Sequence, residues 1–184
     1  MNKQFNLLAI CVFASILQTC VAQEGNFQVK ALDLHNQYRE KHHAPDLELD
    51  DELNSLATQC AEYYANQGQI DHTCPYKEDN GENLAGGEGS WDKDEFAEMS
   101  TNMWYDEVDS YDYDNPGFSG ATGHFTQLVW VNSQKLGFGY AEVNGYTASV
   151  GLYSPAGNYP ETMSLHVFIG DAFLSYKDSL FFQQ

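Results

Sequence analysis

Basic residues are scarce in this chain of 184 residues. Eight Lys and Arg residues stand against 27 Asp and Glu residues, which gives a formal net charge of −19 at pH 7. A surface this acidic argues against binding to nucleic acid and against electrostatic docking on anionic lipid, because both require a positive patch. The charge fits a soluble extracellular protein that attracts cations. For most of these carboxylates, a purely solubilising role is the alternative interpretation.

Cysteine is also scarce, and two of its four positions lie close to the N-terminus. Residues 1–22 have the features of a secretory signal peptide: Lys3, an apolar run over residues 7–17, and small residues at positions 20–22. The run is shorter than the ~20 residues that a membrane span needs. Removing residues 1–22 takes away one Lys and no acid, so the charge changes from −19 to −20. We therefore predict a secreted, extracellular protein.

Export leaves Cys60 and Cys74 as a pair in an oxidising compartment, so a disulfide between them is expected. Closing a loop of about 15 residues would contribute ~3 kcal/mol of stability in the chain-entropy model. The sequence has no Asn-x-Ser/Thr acceptor for glycosylation, no His-Glu-x-x-His zinc motif and no Gly-x-Ser-x-Gly nucleophile motif. These absences exclude the sequence signatures of the zincins and of the α/β-hydrolases.

Hydrophobic spacing predicts three helices followed by a β-hairpin. The first helix runs from Phe27 to about Lys41, with an apolar side that includes Val29 and Leu32. The second is capped by Asp50 and ends before Gly68, and the third opens at Asp92. The predicted buried side of the third helix comprises Phe96, Met99, Met103 and Trp104.

Glycines and turn residues predict the connections between these elements. Residues 86–90 are rich in glycine and are predicted to be a flexible connection. Asn144-Gly145 lies between two segments that alternate like strands, residues 136–141 and 146–154, and this is a strong hairpin signal. Helices before and around a late antiparallel hairpin favour an α+β fold.

Five short motifs in order resemble the CAP superfamily of cysteine-rich secretory, antigen 5 and pathogenesis-related 1 proteins. They are HNQYR at residues 35–39, DHT at 71–73, GENLA at 81–85, GFSGATGHFTQLVW at 117–130 and GLYSPAGNY at 151–159. Within that superfamily, the sequence resembles single-domain members of the Golgi-associated pathogenesis-related subgroup. The resemblance implies a three-layer α-β-α sandwich with a mostly antiparallel central sheet, occupying residues 23–160. Residues 161–184 diverge as an apolar tail, interpreted either as an extra strand or helix that covers a sheet edge or as an aberrant splice product.

The resemblance also implies a central cleft that contains His72, Glu82, Glu107 and His124. Two imidazoles can bind a divalent cation such as zinc, while the carboxylates orient the rings or bind through water. The alternative is a hydrogen-bonded cluster that fixes a loop against two helices. Glu107 is predicted near the C-terminal end of the third helix, where the dipole disfavours a carboxylate, so a compensating partner is expected, with a cation as one candidate.

Three function classes follow from the resemblance. A lipid-binding module would use the aromatic loop at residues 111–118, which leads into the motif at residues 117–130, to contact a sterol or fatty acid. The contacting side chains would be Tyr111, Tyr113, Pro116 and Phe118. Packing of the loop onto the core is the alternative role of these side chains. A metal-dependent hydrolase would use Glu82 or Glu107 as a base; binding is favoured over catalysis, and no catalytic residue is assigned. The third class is a secreted effector or defence protein recognised by an extracellular protein partner.

Overall fold

A computed structural model describes residues 26–163 and residue 167. The predicted signal peptide and most of the predicted tail at 161–184 lie outside the described residues. The elements in chain order are α1 (Phe27–Lys41), β1 (Glu48–Leu49), α2 (Asp51–Gln67), β2 (Gly81–Glu88), α3 (Lys93–Asp106), α4 (Gly123–Leu128), β3 (Lys135–Val143) and β4 (Tyr146–Ser154). Short 3-10 segments span Glu107–Ser110 and Pro160–Thr162.

The four strands form one sheet in the order β1-β3-β4-β2. β4 pairs antiparallel with both β3 and β2, whereas the two-residue β1 pairs parallel with β3. The sheet is therefore mixed, with antiparallel pairing dominant. α2 covers one face of the sheet, while α1 and α3 pack together on the other face, so the predicted three-layer α-β-α fold is confirmed.

The alternating glycines of β3 explain how closely α2 approaches the sheet. A Cβ atom added at Gly137 would lie 2.2 Å from the backbone carbon of Leu53, and one added at Gly139 would lie 2.2 Å from that of Ala57. No side chain fits between these backbones, so only glycine permits this contact. Leu136 and Phe138 alternate with these glycines and are fully buried away from α2.

The predicted ends of the helices are confirmed. Asp50 accepts hydrogen bonds from the backbone N–H groups of the first turn of α2, and Gly68 ends that helix with a left-handed φ of 69°. Asp92 caps α3 through the N–H groups of Asp94 and Glu95. The hairpin turn at Asn144-Gly145 has positive φ at both residues, as a two-residue turn of type I′ requires.

Two predictions about local structure are wrong. Gly86 and Gly87 do not form a flexible connection, because they belong to β2 and pair with Ala148 and Thr147 of β4. A side chain at Gly86 would come within 3.1 Å of the Thr147 carbonyl, so this glycine allows a close approach and does not mark a loop.

The predicted apolar sides of α1 and α3 are also partly wrong. Met99 and Met103 of α3 are exposed, Met103 at 55%, and so is Val29 of α1. Small and polar side chains take the buried positions instead: Ala97, Ser100 and Thr101 of α3, and Ala31, His35 and Arg39 of α1. Hydrophobicity alone could not identify these buried faces, because hydrogen bonds stabilise the polar members.

Arg39 is the largest of these buried polar side chains. Its guanidinium donates to the carbonyl oxygens of Leu128, Trp130 and Ser133 at 2.8–3.0 Å and to that of Pro45 at 2.7 Å. Burial lowers the pKa of Arg39 to about 10. The guanidinium therefore ties α1 to the end of α4 and to the segment that follows it.

Candidate functional site

His72 and Glu82 form the first of two histidine–glutamate pairs. The Nδ1 atom of His72 lies 2.7 Å from Oε2 of Glu82. The other carboxylate oxygen accepts a hydrogen bond from the Tyr64 hydroxyl at 3.1 Å. The Glu82 side chain is only 2% exposed, whereas the His72 side chain is 55% exposed. A buried carboxylate with two hydrogen-bond partners thus orients a histidine ring that faces solvent.

The loop that carries His72 is held by several independent contacts. The Cys60–Cys74 disulfide is present and joins the loop to α2, as predicted. The Tyr64 hydroxyl accepts a hydrogen bond from the Cys74 N–H, and burial raises the pKa of Tyr64. Asp71 accepts bonds from the hydroxyl and the N–H of Thr73, which lower the pKa of its carboxyl group. These contacts stabilise His72 at a left-handed φ of 62°, which is uncommon for a histidine.

Glu107 and His124 form the second pair. The Oε1 atom of Glu107 lies 2.7 Å from Nδ1 of His124. Its Oε2 atom accepts hydrogen bonds from the backbone N–H groups of His124, at 2.8 Å, and Phe125, at 3.1 Å. Glu107 caps the end of α3, where the dipole disfavours a carboxylate. The expected compensation therefore comes from N–H groups in the first turn of α4 and from the ring of His124.

The indole ring of Trp104 lies over the face of the His124 ring. Trp104 lies nearly parallel to it, with ring centroids 6.3 Å apart and an interplanar angle of 24°. The indole N–H of Trp104 donates to the Leu84 carbonyl of β2 at 2.9 Å. Four buried residues anchor α4 and the turn after it: Phe125, Leu128, Val129 and Trp130.

Strand β2 connects the two pairs. It lies at one edge of the sheet, and its residues face the two sides alternately. Glu82 faces α2, as its bond to Tyr64 shows. Asn83 faces the other side, where its side-chain amide donates to the His124 carbonyl and to the Tyr153 hydroxyl, each at 3.0 Å. Adjacent residues of β2 thus each contact one pair: Glu82 belongs to the first pair, and Asn83 binds the His124 backbone of the second.

The four predicted cleft residues therefore assemble as two linked pairs and not as one cluster. Within residues 26–163 and residue 167, no three His, Cys, Asp or Glu side chains are placed to hold one metal ion together. In both pairs the carboxylate is hydrogen-bonded to Nδ1 of the histidine ring. Neither Nε2 atom has a hydrogen-bond partner in the described part of the chain. Each ring consequently presents one nitrogen that is available to an external group.

The predicted lipid-contacting loop has a buried and an exposed part. Tyr111 is buried, with its ring 5.5 Å from that of Phe125 and 4.8 Å from that of Tyr113. Tyr113 is half-buried, which raises the pKa of its hydroxyl to about 12, and Pro116 is also half-buried. Phe118 is 54% exposed, and its ring lies 3.2 Å from the position that a Cβ of Gly123 would take. The exposed aromatic ring therefore lies beside Gly123, the residue that precedes His124.

Sequence reasoning identified the two histidines and the two glutamates but missed the residues that connect them. Asn83 and Tyr153 lie within recognised motifs, yet nothing in the sequence shows which atoms they contact. His35 completes the same network, with Nε2 2.8 Å from the Tyr153 hydroxyl and Nδ1 2.7 Å from the Ala31 carbonyl. These buried contacts give His35 a structural role.

Comparison with known proteins identifies the family. The profile of the CAP family, described as the cysteine-rich secretory protein family, matches residues 32–153. The human Golgi-associated plant pathogenesis-related protein 1 is 38% identical over 135 residues, covering 72% of this chain and 84% of the human protein. Pathogenesis-related protein 1A of Nicotiana tabacum is 35% identical over 154 residues, covering 82% and 86% of the two chains. The chain belongs to the CAP family.

A solved structure supports the same fold. The structure of NaASP2 with Zn2+ superposes with a TM-score of 0.61 and 23% identity, covering 79% of this chain and 88% of that one. In the described part of this chain, no helix combines the length and the hydrophobicity that crossing a bilayer requires.

Proposed function

We propose that this CAP protein is secreted and that His72 and His124 together bind one divalent cation, preferably zinc, through their Nε2 atoms. The observation that carries the proposal is the matched geometry of the two pairs. In each pair a carboxylate lies 2.7 Å from Nδ1, which places the proton on that nitrogen and leaves the lone pair on Nε2. Carboxylate–histidine–metal arrangements use this pattern to orient the ring and to raise its basicity.

The donor set fits zinc or a similar borderline ion. Neutral imidazole is a preferred ligand of zinc, and a four-coordinate ion held by two rings keeps two positions for water or an external ligand. A cation bound there would supply a Lewis-acidic coordination point for an anionic or carbonyl group. The excess of 27 acids over 8 basic residues favours the approach of cations to this surface.

A metal-dependent hydrolase is the alternative use of the same site. It would require a general base within reach of a metal-bound water. Both Glu82 and Glu107 are engaged with a histidine ring and with a second donor. This engagement supports an orienting role for the two carboxylates, and it favours binding over hydrolysis.

Calorimetric titration with zinc at neutral pH tests the proposal. The wild type is expected to bind one ion, and His72→Ala and His124→Ala are each expected to lose most of the affinity, because one ligand remains. His43→Ala serves as the matched control, since this exposed histidine lies in the turn after α1 and not in either pair. Equal binding by all four proteins would place the metal elsewhere and would identify the two pairs as structural.

A second candidate function is binding of a sterol or fatty acid at the loop of residues 111–118, next to the histidine site. The observation that favours it is the exposed ring of Phe118 beside Gly123, the residue that precedes His124. Burial of an aromatic anchor contributes about 1–3 kcal/mol, so Phe118→Ala combined with Tyr113→Ala should weaken sterol binding tenfold or more. Tyr159→Ala is the control, because Tyr159 is similarly exposed but contacts Trp130. Unchanged affinity in the folded double variant would reject the loop as the binding surface.

A further inference from the structure

Asn83 follows Glu82 in β2, and its side-chain amide binds the backbone of His124, so this residue joins the strand that carries Glu82 to the second pair. The Asn83 side chain is buried, and its Nδ2 atom lies 3.0 Å from both the His124 carbonyl and the Tyr153 hydroxyl. A carbonyl oxygen can only accept, so the amide must turn its NH2 group toward His124. Both N–H groups are then used, and the orientation of the amide is fixed.

The hydrogen bonds continue in one direction into α1. Because the Tyr153 hydroxyl accepts from Asn83, its own proton is directed to Nε2 of His35. His35 then carries its proton on Nδ1 and donates it to the Ala31 carbonyl at 2.7 Å. Asn83, Tyr153 and His35 are all buried, and the Asn83 NH2 group, the Tyr153 hydroxyl and both ring nitrogens of His35 have partners, so the series resists reorientation. It anchors the backbone of His124 to α1.

Three consecutive residues of β2 contact the two pairs or the residues packed against them. Glu82 orients His72, Asn83 binds the His124 carbonyl, and the Leu84 carbonyl accepts from Trp104, whose ring lies parallel to that of His124. Gly151 lies opposite Asn83 in the strand register. A Cβ there would lie 3.1 Å from Trp104 and 3.2 Å from the Tyr153 hydroxyl, so glycine leaves the room that both groups need.

From this arrangement we propose that Asn83 is a positioning residue, which fixes His124 relative to the His72–Glu82 pair so that both Nε2 atoms address the same ion. The inference rests on the proposed cation site. It assigns to Asn83 a role that neither pair fills alone, since each glutamate is hydrogen-bonded to one of the two histidines and not to the other. A shift of the His124 backbone would move its Nε2 away from the ion even with the Glu107 bond intact.

The test uses Asn83→Asp, which keeps the size of the side chain but sets a carboxylate oxygen against the His124 carbonyl. Losses of about 10–100-fold in zinc affinity are typical for partners of metal ligands, and we expect a loss in that range. Ser100→Ala is the matched control, because it also removes a buried hydrogen bond, 2.6 Å from the Ser149 hydroxyl, without contacting either pair. Equal zinc affinity in Asn83→Asp and the wild type would overturn the proposal, as would an equal loss in Ser100→Ala.

A readout without metal separates this proposal from the cation site itself. In metal-free protein with 15N-labelled histidine, Asn83→Asp should shift the ring resonances of His124 and leave those of His72 in place. If Asn83→Asp does not fold, Tyr153→Phe provides the second variant, since it removes only the hydroxyl that accepts from the Asn83 amide. A smaller shift in the same resonances is expected. Unperturbed His124 resonances in the folded variant would overturn the positioning role. Failure of the wild type to bind zinc, with these shifts present, would reject the cation site alone.

Discussion

Glu107→Gln is the substitution for which the structure makes the sharpest prediction. Oε2 of Glu107 accepts two backbone N–H groups, from His124 and Phe125, while Oε1 accepts the ring Nδ1–H of His124. A glutamine keeps a single acceptor oxygen. The two backbone donors cannot move without unwinding the first turn of α4, so the amide oxygen is expected to face them. The NH2 group then faces the histidine ring.

This orientation reverses the tautomer of His124. Nδ1 must now accept a hydrogen bond, so the single proton of the neutral ring moves to Nε2 and blocks the nitrogen that would bind the ion. We expect zinc affinity to fall by about 10–100-fold, as for other partners of metal ligands. Three charge-assisted hydrogen bonds become neutral ones, and each such change weakens the bond by on the order of 1 kcal/mol or less. The free energy of unfolding should therefore decrease by about 1–3 kcal/mol.

Glu82→Gln is the matched comparison. Its amide oxygen can still accept from His72 while the NH2 group turns toward the Tyr64 hydroxyl, so the tautomer of His72 is retained and the loss of affinity should be smaller. Ring 15N shifts report which nitrogen carries the proton, and calorimetry reports the affinity. A Glu107→Gln protein that keeps the Nδ1–H tautomer and binds zinc like the wild type would refute this reasoning.

Two further predictions concern stability. Burial lowers the pKa of His35 to about 4, from 6.5 in the unfolded chain. The unfolded state therefore binds more protons between these values, so the contribution of neutral His35 is complete above pH 6.5 and falls as the pH drops toward 4, by on the order of 3 kcal/mol. Urea unfolding of wild type and His35→Gln at pH 7 and 4.5 should show a weaker pH dependence in the variant; equal slopes would contradict it. Replacing Cys60 and Cys74 by Ala should cost ~3 kcal/mol and weaken zinc binding through the His72 loop, whereas an unchanged urea midpoint would contradict the role of the bridge.

Local signals predicted the frame of the fold. Asp50, Gly68 and Asp92 act within one helical turn, and Asn144-Gly145 acts within one hairpin, so their effects can be recognised without the rest of the chain. Gly86 and Gly87 were misjudged because a glycine that allows close packing looks the same in sequence as one that breaks a strand. Only the neighbouring strand in the folded protein shows which of these two roles a glycine has.

The candidate site was predictable in its members but not in its connections. The family resemblance supplied both histidines and both glutamates, yet the pairing of each histidine with one glutamate depends on the register of β2 and on the end of α3. Asn83 and His35 act through buried hydrogen bonds to residues that are distant in sequence. Hydrophobic periodicity carries no information about such contacts, which is also why the buried guanidinium of Arg39 was missed.

Anomalous diffraction at the zinc edge, from crystals grown with one equivalent of zinc, tests the central claim most directly. The account predicts one peak, about 2.0–2.1 Å from Nε2 of both His72 and His124, with the two Nδ1 atoms still bonded to Glu82 and Glu107. A peak that is bound by a single ring, bound through Nδ1, or located away from both histidines would contradict it.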